Sequence, residues 1–370
     1  MDQNRLALLA LHFVPGIGDF LIRQLVSYCG SAEDVFQLSK GKLLKIPSVG
    51  ESTIKAIQSG DPFREAEEEI RKAEKLDTQI VFYLDAHYPQ RLKQFDDSPT
   101  LLYTKGNANL NAAKTVGIVG TRQATSYGKE MVEQLMKDLQ PHQPLIISGL
   151  AYGIDIHAHK QALLFGLPTL GVMGSGMDVI YPALHKDTAT KMLDQGGLAT
   201  ENAFGTKPDA HNFPARNRII AGLSDALIVV EAAEKGGALI TAEIANNYNK
   251  DVFAIPGALG QTYSAGCNKL IKINKAHLLT GVKDIEYIMN WTAPNDSASQ
   301  TPTQLDLNLF DSDERIVVTI LKEKKNPMMI DELSRKTSLS PSVLASLLLN
   351  LEFKNVVRSL PGKMYRLNKS

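Results

Sequence analysis

Between Thr115 and Ala276, four short apolar runs each end in a glycine-rich turn, the pattern of a parallel α/β sheet. The first is Val116-Gly117-Ile118-Val119-Gly120-Thr121-Arg122. The second, Leu145-Ile146-Ile147-Ser148-Gly149, runs on to Gly153-Ile154-Asp155. Leu170-Gly171-Val172-Met173-Gly174-Ser175-Gly176 follows, then Leu227-Ile228-Val229-Val230-Glu231 ahead of Gly236-Gly237. In a parallel sheet all such turns fall at the carboxyl edge of the strands, where ligands bind. Glycine there permits positive φ and close backbone approach, and the helix after each turn aims free N–H groups at an anion. A Rossmann-like sheet built to hold something phosphorylated is therefore expected. The first turn is not a dinucleotide fingerprint, because Gly117, Gly120 and Gly128 are wrongly spaced, and no lysine follows in the Walker A pattern. Neither a nicotinamide nor an ATP site is supported, and no cofactor is expected.

A chain of 370 residues is too long for one average domain, and a 44% hydrophobic fraction is ample for packed cores, so two or three domains are expected. The 40 basic and 40 acidic side chains cancel, so any nucleic-acid contact must come from local clustering. Cys29 and Cys267 are far apart in sequence and fit buried thiols of a reduced cytosolic protein better than a disulfide framework. The amino terminus lacks the basic region and apolar core of a signal peptide, and no run approaches the ~18 apolar residues of a membrane span. A soluble cytoplasmic protein without membrane contact is expected.

Three regions follow along the chain. Residues 1–75 read as a helical domain around two similar turns, Val14-Pro15-Gly16-Ile17-Gly18 and Ile46-Pro47-Ser48-Val49-Gly50, which look like a pair of helix-hairpin-helix motifs of the SAM-like kind. Such turns either hold a DNA phosphate on backbone N–H groups or serve only as a packing module. Residues 76–291 read as the Rossmann-like domain, with strands near Gln79 to Tyr83 and Leu101 to Lys105 adding edge structure to the sheet. Residues 292–308 are polar, with almost nothing to bury, and read as a linker. Residues 309–370 have three helical apolar patterns, Asp313 to Lys324, Met329 to Thr337 and Pro341 to Asn355, then two strands around Pro361-Gly362. That is a winged helix. Its third helix is nearly all Leu, Val, Ser and Ala, which favours a protein-facing role over base readout despite Arg335 and Lys336.

Several ordered blocks carry a specific resemblance: Gly120-Thr121-Arg122; Ser148 through His159; Phe213-Pro214-Ala215-Arg216-Asn217-Arg218 through Ser224; Lys235-Gly236-Gly237 through Glu243; and Val252-Phe253-Ala254-Ile255-Pro256-Gly257. Over residues 80 to 281 the chain resembles the bacterial DNA-processing protein A family, also called Smf. The resemblance implies a non-enzymatic protein that binds single-stranded DNA, forms a homodimer and loads the RecA recombinase during natural transformation.

A single strand needs cations for its phosphates and flat side chains for its bases. Arg122, Arg216 and Arg218 are candidates for the first task and Phe213 for the second. Each has a structural rival: Arg122 can pair with Asp155, Phe213 can plug the core, and neighbours among Arg216, Asn217 and Arg218 must point apart. Lys235 with Gly236 and Gly237 is a candidate anion nest. Backbone contacts are expected at Gly120, Thr121, Ser148, Gly149, Gly153, Gly174 and Gly176. The resemblance adds Lys250, Asn268 and Lys269 as DNA-facing, and places self-association and recombinase contact around Cys267 to Ala276, with Leu270, Ile271 and Ile273 as the apolar candidates.

Two other chemistries fit the residues less well. His157 and His159, two apart in a helix, face differently, and no cysteine or carboxylate completes a zinc set. The fold also resembles that of cytokinin-activating phosphoribohydrolases. Here Leu239 and Ile240 replace the second glycine and threonine of their turn, which leaves Glu231 and Glu243 as the only candidate acids.

Overall fold

The two proline-glycine turns near the start of the chain have the same backbone. Gly16 and Ser48 both take positive φ, 80° and 63°. Ile17 N–H donates to Val14 O and Val49 N–H to Ile46 O, each at 3.2 Å. Gly18 and Gly50 then cap the next helices in matching extended conformations. A computed structural model describes residues 2–292, 310–323, 327–354, 356–360 and 364–367. Its first helices are α1 (Gln3–His12), α2 (Asp19–Cys29), α3 (Ala32–Gln37), α4 (Lys40–Leu43), α5 (Glu51–Ile57) and α6 (Pro62–Lys75). In both turns the flanking apolar residues, Val14 and Ile17 in one and Ile46 and Val49 in the other, are buried. The α6 helix starts as its sequence dictates, with Pro62 in the first turn and the Asp61 carboxylate accepting from Arg64 N–H.

The sheet follows: β1 (Gln79–Phe82), β2 (Leu101–Gly106), β3 (Thr115–Val119), α7 (Ser126–Leu139), β4 (Leu145–Ser148), α8 (Ile154–Leu164), β5 (Thr169–Val172), α9 (Lys186–Gln195) and β6 (Gly196–Thr200). It continues with α10 (Asn212–Leu223), β7 (Ala226–Val229), α11 (Gly237–Asn247), β8 (Asp251–Ala254), α12 (Ala265–Lys272), β9 (His277–Leu278) and α13 (Val282–Met289). The strand order is β1-β2-β6-β5-β4-β3-β7-β8-β9. From β6 to β9 every pair is parallel, while β1 and β2 join that array antiparallel at one edge.

The central strands are buried along their whole length, as a sheet covered on both faces requires. Successive residues serve opposite cores: Ile146 and Ile228 pack with α7 and α8, whereas Leu145, Ile147, Leu227 and Val229 pack with α10, α11 and α12. A third cluster joins the amino-terminal helices to Met173, Leu198 and Phe204, so helices and sheet lie in one compact unit, residues 1–293. Cys267 is buried, as expected; Cys29 is half-buried, and both are free thiols.

From β3 the chain winds outward through β4, β5 and β6, then returns to place β7 on the other side of β3. The winding direction reverses between these two strands. A crevice opens at such a switch point outside the carboxyl ends.

The second compact unit, residues 294–370, contains α14 (Ser312–Glu323), β10 (Met328–Met329), α15 (Ile330–Thr337), α16 (Pro341–Phe353), β11 (Val357–Leu360) and β12 (Met364–Leu367). The strands pair antiparallel in the order β10-β12-β11, and Val317, Leu333, Leu344, Leu348 and Leu351 form the core of a winged helix. The α16 helix carries no lysine or arginine, and Val343 and Leu349 are exposed on it. The linker expected over 292–308, except Thr292, lies outside the described residues, as do Lys324, Asn355 and the Pro361-Gly362 turn. Among the described residues no helix is long and apolar enough to cross a membrane.

Candidate functional site

A cleft of about 710 Å³ lies over the carboxyl ends of β3, β4 and β7, where the winding reverses. Gly120, Thr121, Arg122, Phe213, Arg216, Asn217, Lys235, Gly236 and Gly237 all line it, so residues spread over more than a hundred positions converge there.

The β3 turn is held rigidly. Thr121 N–H donates to Glu231 O at 2.7 Å, Ile154 N–H donates to Thr121 O at 3.1 Å, and the Thr121 hydroxyl accepts from Gln123 N–H at 3.1 Å. Glu231 in turn holds Thr125, the capping residue of α7, its carboxylate accepting from Thr125 N–H at 3.0 Å and from the Thr125 hydroxyl at 2.6 Å. Arg122 stands exposed beyond this turn, its guanidinium 5.5 Å from the centre of the Phe213 ring. Among the described residues neither Arg122 nor Lys235 makes an ion pair. The alternative pairing of Arg122 with Asp155 is not formed.

Two helices begin at this cleft without a side-chain cap. Phe213 and Pro214 belong to the first turn of α10, and Gly236, Gly237 and Ala238 open α11. Their partial positive ends add to Arg122 and Lys235 and make the cleft receptive to an anion. Tyr181, 44% exposed, tilts toward Phe213 with ring centres 5.8 Å apart, and Tyr263 and Gln123 stand on the α7 side. Sequence reasoning missed these three, which come from loops with no period. Phe213 is half-buried at the cleft wall, so it is not a core plug.

Arg216 lies on the floor. It is 4% exposed, and its Nη1 donates to Gly149 O at 2.5 Å and to Val172 O. It stitches the ends of β4 and β5 together and has no surface to offer a phosphate. Asp155, also buried, accepts from Gly149 N–H at 3.2 Å. Burial pushes its carboxyl up to about 6, against the opposing pull of Arg216. The same burial lowers Arg216 to about 10, which leaves it charged at neutral pH.

The pH consequence follows from the sign. A carboxyl raised in the folded state stabilises it below the unfolded value of 3.8, and that contribution is lost as pH rises through about 6. Glu201, raised to about 7 by burial, acts in the same direction. His12 and His159, lowered by burial to about 4 and about 3, act in the opposite one. The Asp155 share is therefore read against Asp155→Asn. The stability difference between the two proteins should be larger in favour of the unaltered chain at pH 5 than at pH 7.5, by about 1 kcal/mol in urea titrations. An equal difference at both pH values would show that Asp155 is not raised.

Several other expected residues lie elsewhere. Arg218 points to the opposite side of α10 and pairs with Glu201, with Asp19 at 3.7 Å. Ser148 is buried, its hydroxyl donating to Ile118 O at 2.6 Å. Gly149 and Gly153 serve contacts within the protein. A side chain at Gly149 would collide with the Arg216 guanidinium, and Gly153, at φ 78°, lets its turn approach Thr121 O. Gly174 leaves room for Phe213, and Gly176 packs on Ala203 O.

Lys250 precedes β8 and so lies at the amino edge of the sheet, across from the cleft, with its ammonium 5.5 Å from the Phe95 ring. The side chain of Asn268 is bound to both N–H and O of Gly257. Lys269 is exposed on α12 but does not line the cleft. Leu270 is 6% exposed and packs into the sheet core; Ile271 is half-buried, and Ile273 is 48% exposed. His157 and His159 bond to Lys129 O and the Thr169 hydroxyl, and no group of three metal-binding side chains occurs among the described residues.

A parallel sheet with an anion-receptive crevice at its switch point, followed in sequence by a winged helix, defines the class. The family model for DNA recombination-mediator protein A matches residues 79–290, and that for the DprA winged helix domain matches residues 294–363. The chain belongs to the DNA recombination-mediator protein A (DprA/Smf) family. Protein Smf of Synechocystis sp. is 30% identical over 97% of both chains. DNA processing protein DprA of Streptococcus pneumoniae is 41% identical over 55% of this chain and 71% of its own. The X-ray structure of Streptococcus pneumoniae DprA superposes with a TM-score of 0.68 and 32% identity, covering 78% of this chain and 98% of that one. DNA processing protein A from Helicobacter pylori, whose structure is described for its single-stranded DNA binding mode, gives a TM-score of 0.52 and 28% identity over 57% of this chain and 95% of that one.

Proposed function

We propose that the switch-point cleft binds single-stranded DNA, with Arg122 and Lys235 on phosphates and Phe213 against a base. The observation that carries this reading is the convergence of two unpaired cations, an accessible aromatic ring and two uncapped helix starts in one cleft. Stacking is sequence-tolerant, and a base must be unpaired to reach the ring, so the cleft selects single strands over duplex. The Helicobacter pylori relative, described for single-stranded DNA binding, supports the assignment.

As a recombination mediator the protein would act upon the bound strand by delivering it to the RecA recombinase, and would do so as a homodimer. Ile273, with Leu278 in β9, offers an exposed apolar contact for this near α12. The exposed face of α16, which carries no lysine or arginine, fits a protein partner better than a DNA groove. Nucleotide hydrolysis is disfavoured by where its two acids go: Glu231 is bound to Thr125, and Glu243 is paired with Lys275 at 2.5 Å.

The test is a fluorescence-anisotropy titration of labelled oligo-dT at two salt concentrations, with matched duplex as competitor. Tight, salt-sensitive binding that duplex fails to displace is expected. No binding at low salt would overturn the reading.

A further inference from the structure

A second cavity, about 700 Å³, adjoins the cleft on the far side of Tyr263, between the first turn of α7 and the 256–264 loop. Tyr263 lines both spaces. It is a fixed wall: its O accepts from Ala232 N–H at 2.7 Å, and its hydroxyl donates to Gln123 Oε1. On the other side Tyr127 is held by its hydroxyl, which donates to Pro256 O at 2.6 Å. Two rings pinned at their polar ends thus stand at the sides of one cavity.

The charge of this second space differs from that of the first. No lysine or arginine lines it, and its one carboxylate, Glu231, is already bound by Thr125 at the start of α7. An anion would meet a buried negative charge there and no cation. A neutral, flat group with hydrogen-bonding edges would meet two phenol rings, the Ser126 and Thr262 hydroxyls and the Gln261 amide. A nucleobase has those properties, and the sugar-phosphate chain attached to it can stay on the side of Arg122 and Lys235.

We propose that this second cavity is a nucleobase subsite that carries a single strand onward from the Arg122 and Phe213 cleft, with Tyr263 standing between successive bases. The proposal rests on the single-strand reading of the first cleft and extends it by giving the strand a direction across the sheet edge, from β7 and α10 toward α7 and the loop after β8.

Strand length separates the two sites. Oligo-dT of about four nucleotides fills the first cleft, and oligo-dT of about twelve reaches both. Tyr127→Ala should weaken the longer strand about tenfold and leave the shorter unchanged, since one lost stacking partner has that scale. Ser126 is exposed in the first turn of α7, where a carboxylate suits the helix dipole and keeps the fold. Ser126→Glu should therefore weaken the longer strand selectively, and Ser126→Lys should strengthen it. If both lengths bind all three variants as they bind the unaltered protein, the subsite is overturned while the first cleft stands. If the short strand fails to bind the unaltered protein, the single-strand reading falls and the subsite with it.

Discussion

Arg122→Ala should weaken single-strand binding about tenfold at moderate salt and reduce the slope of log affinity against log salt by about 0.7, the contribution of one phosphate on a single strand. Phe213→Ala should cost a comparable factor, from the ~1–3 kcal/mol that stacking on a ring contributes, with the salt slope unchanged. The two variants thus separate charge from stacking within one cleft. Neither change disturbs packing much: Arg122 is exposed and makes no ion pair among the described residues, and Phe213 borders open space beside Tyr181. Their 5.5 Å contact predicts less than additive losses in the double variant, because each group helps hold the other in place. Anisotropy titrations across a salt series read all three quantities. Unchanged affinity in both single variants would remove the cleft from consideration as the DNA site.

The sequence made the sheet legible because its strands are short, wholly apolar and punctuated by glycine, and it made the crevice legible because those turns must share an edge. What it hid was the division of labour along α10. Phe213, Arg216, Asn217 and Ile220 all line the cleft at helical spacing, whereas Arg218 falls on the other face and binds Glu201. That period was present in the sequence and would have excluded Arg218. It would not have separated Arg122, on the rim, from Arg216, on the floor. That difference depends on Gly149 and Val172, whose carbonyls reach Arg216 only once β4 and β5 lie side by side.

Strand direction explains why Lys250 lies away from the cleft. A basic residue just before a parallel strand lies at the amino edge, and the cleft is at the carboxyl edge. The aromatic walls Tyr181 and Tyr263 carried no signal, because loop residues obey neither the helical nor the strand period. The glycines fall at the strand ends, where close backbone approach is required, and the approach is made by the protein's own groups. Gly149 admits the Arg216 guanidinium and Gly153 a neighbouring turn.

Removal of Arg216 should look like loss of DNA binding while being something else. Arg216→Met keeps most of the volume but deletes the donor to two buried carbonyls and the positive charge that holds down the carboxyl of Asp155. Breaking a buried charge arrangement by removing one member leaves the other uncompensated, which costs about 3–5 kcal/mol. Much of a typical domain's stability of about 5–15 kcal/mol would go with it. Urea unfolding should therefore show a large drop for Arg216→Met and almost none for Arg122→Ala, although both residues line the same cleft. Combining Arg216→Met with Asp155→Asn removes the stranded charge and should recover part of the loss, with more recovery at pH 7.5 than at pH 5, where Asp155 is already protonated. A double variant no more stable than Arg216→Met at either pH would place the whole cost on the carbonyls of Gly149 and Val172. Any binding assay on Arg216 variants has to be read beside that measurement, because a cleft whose floor has come apart cannot present Arg122 and Phe213 together.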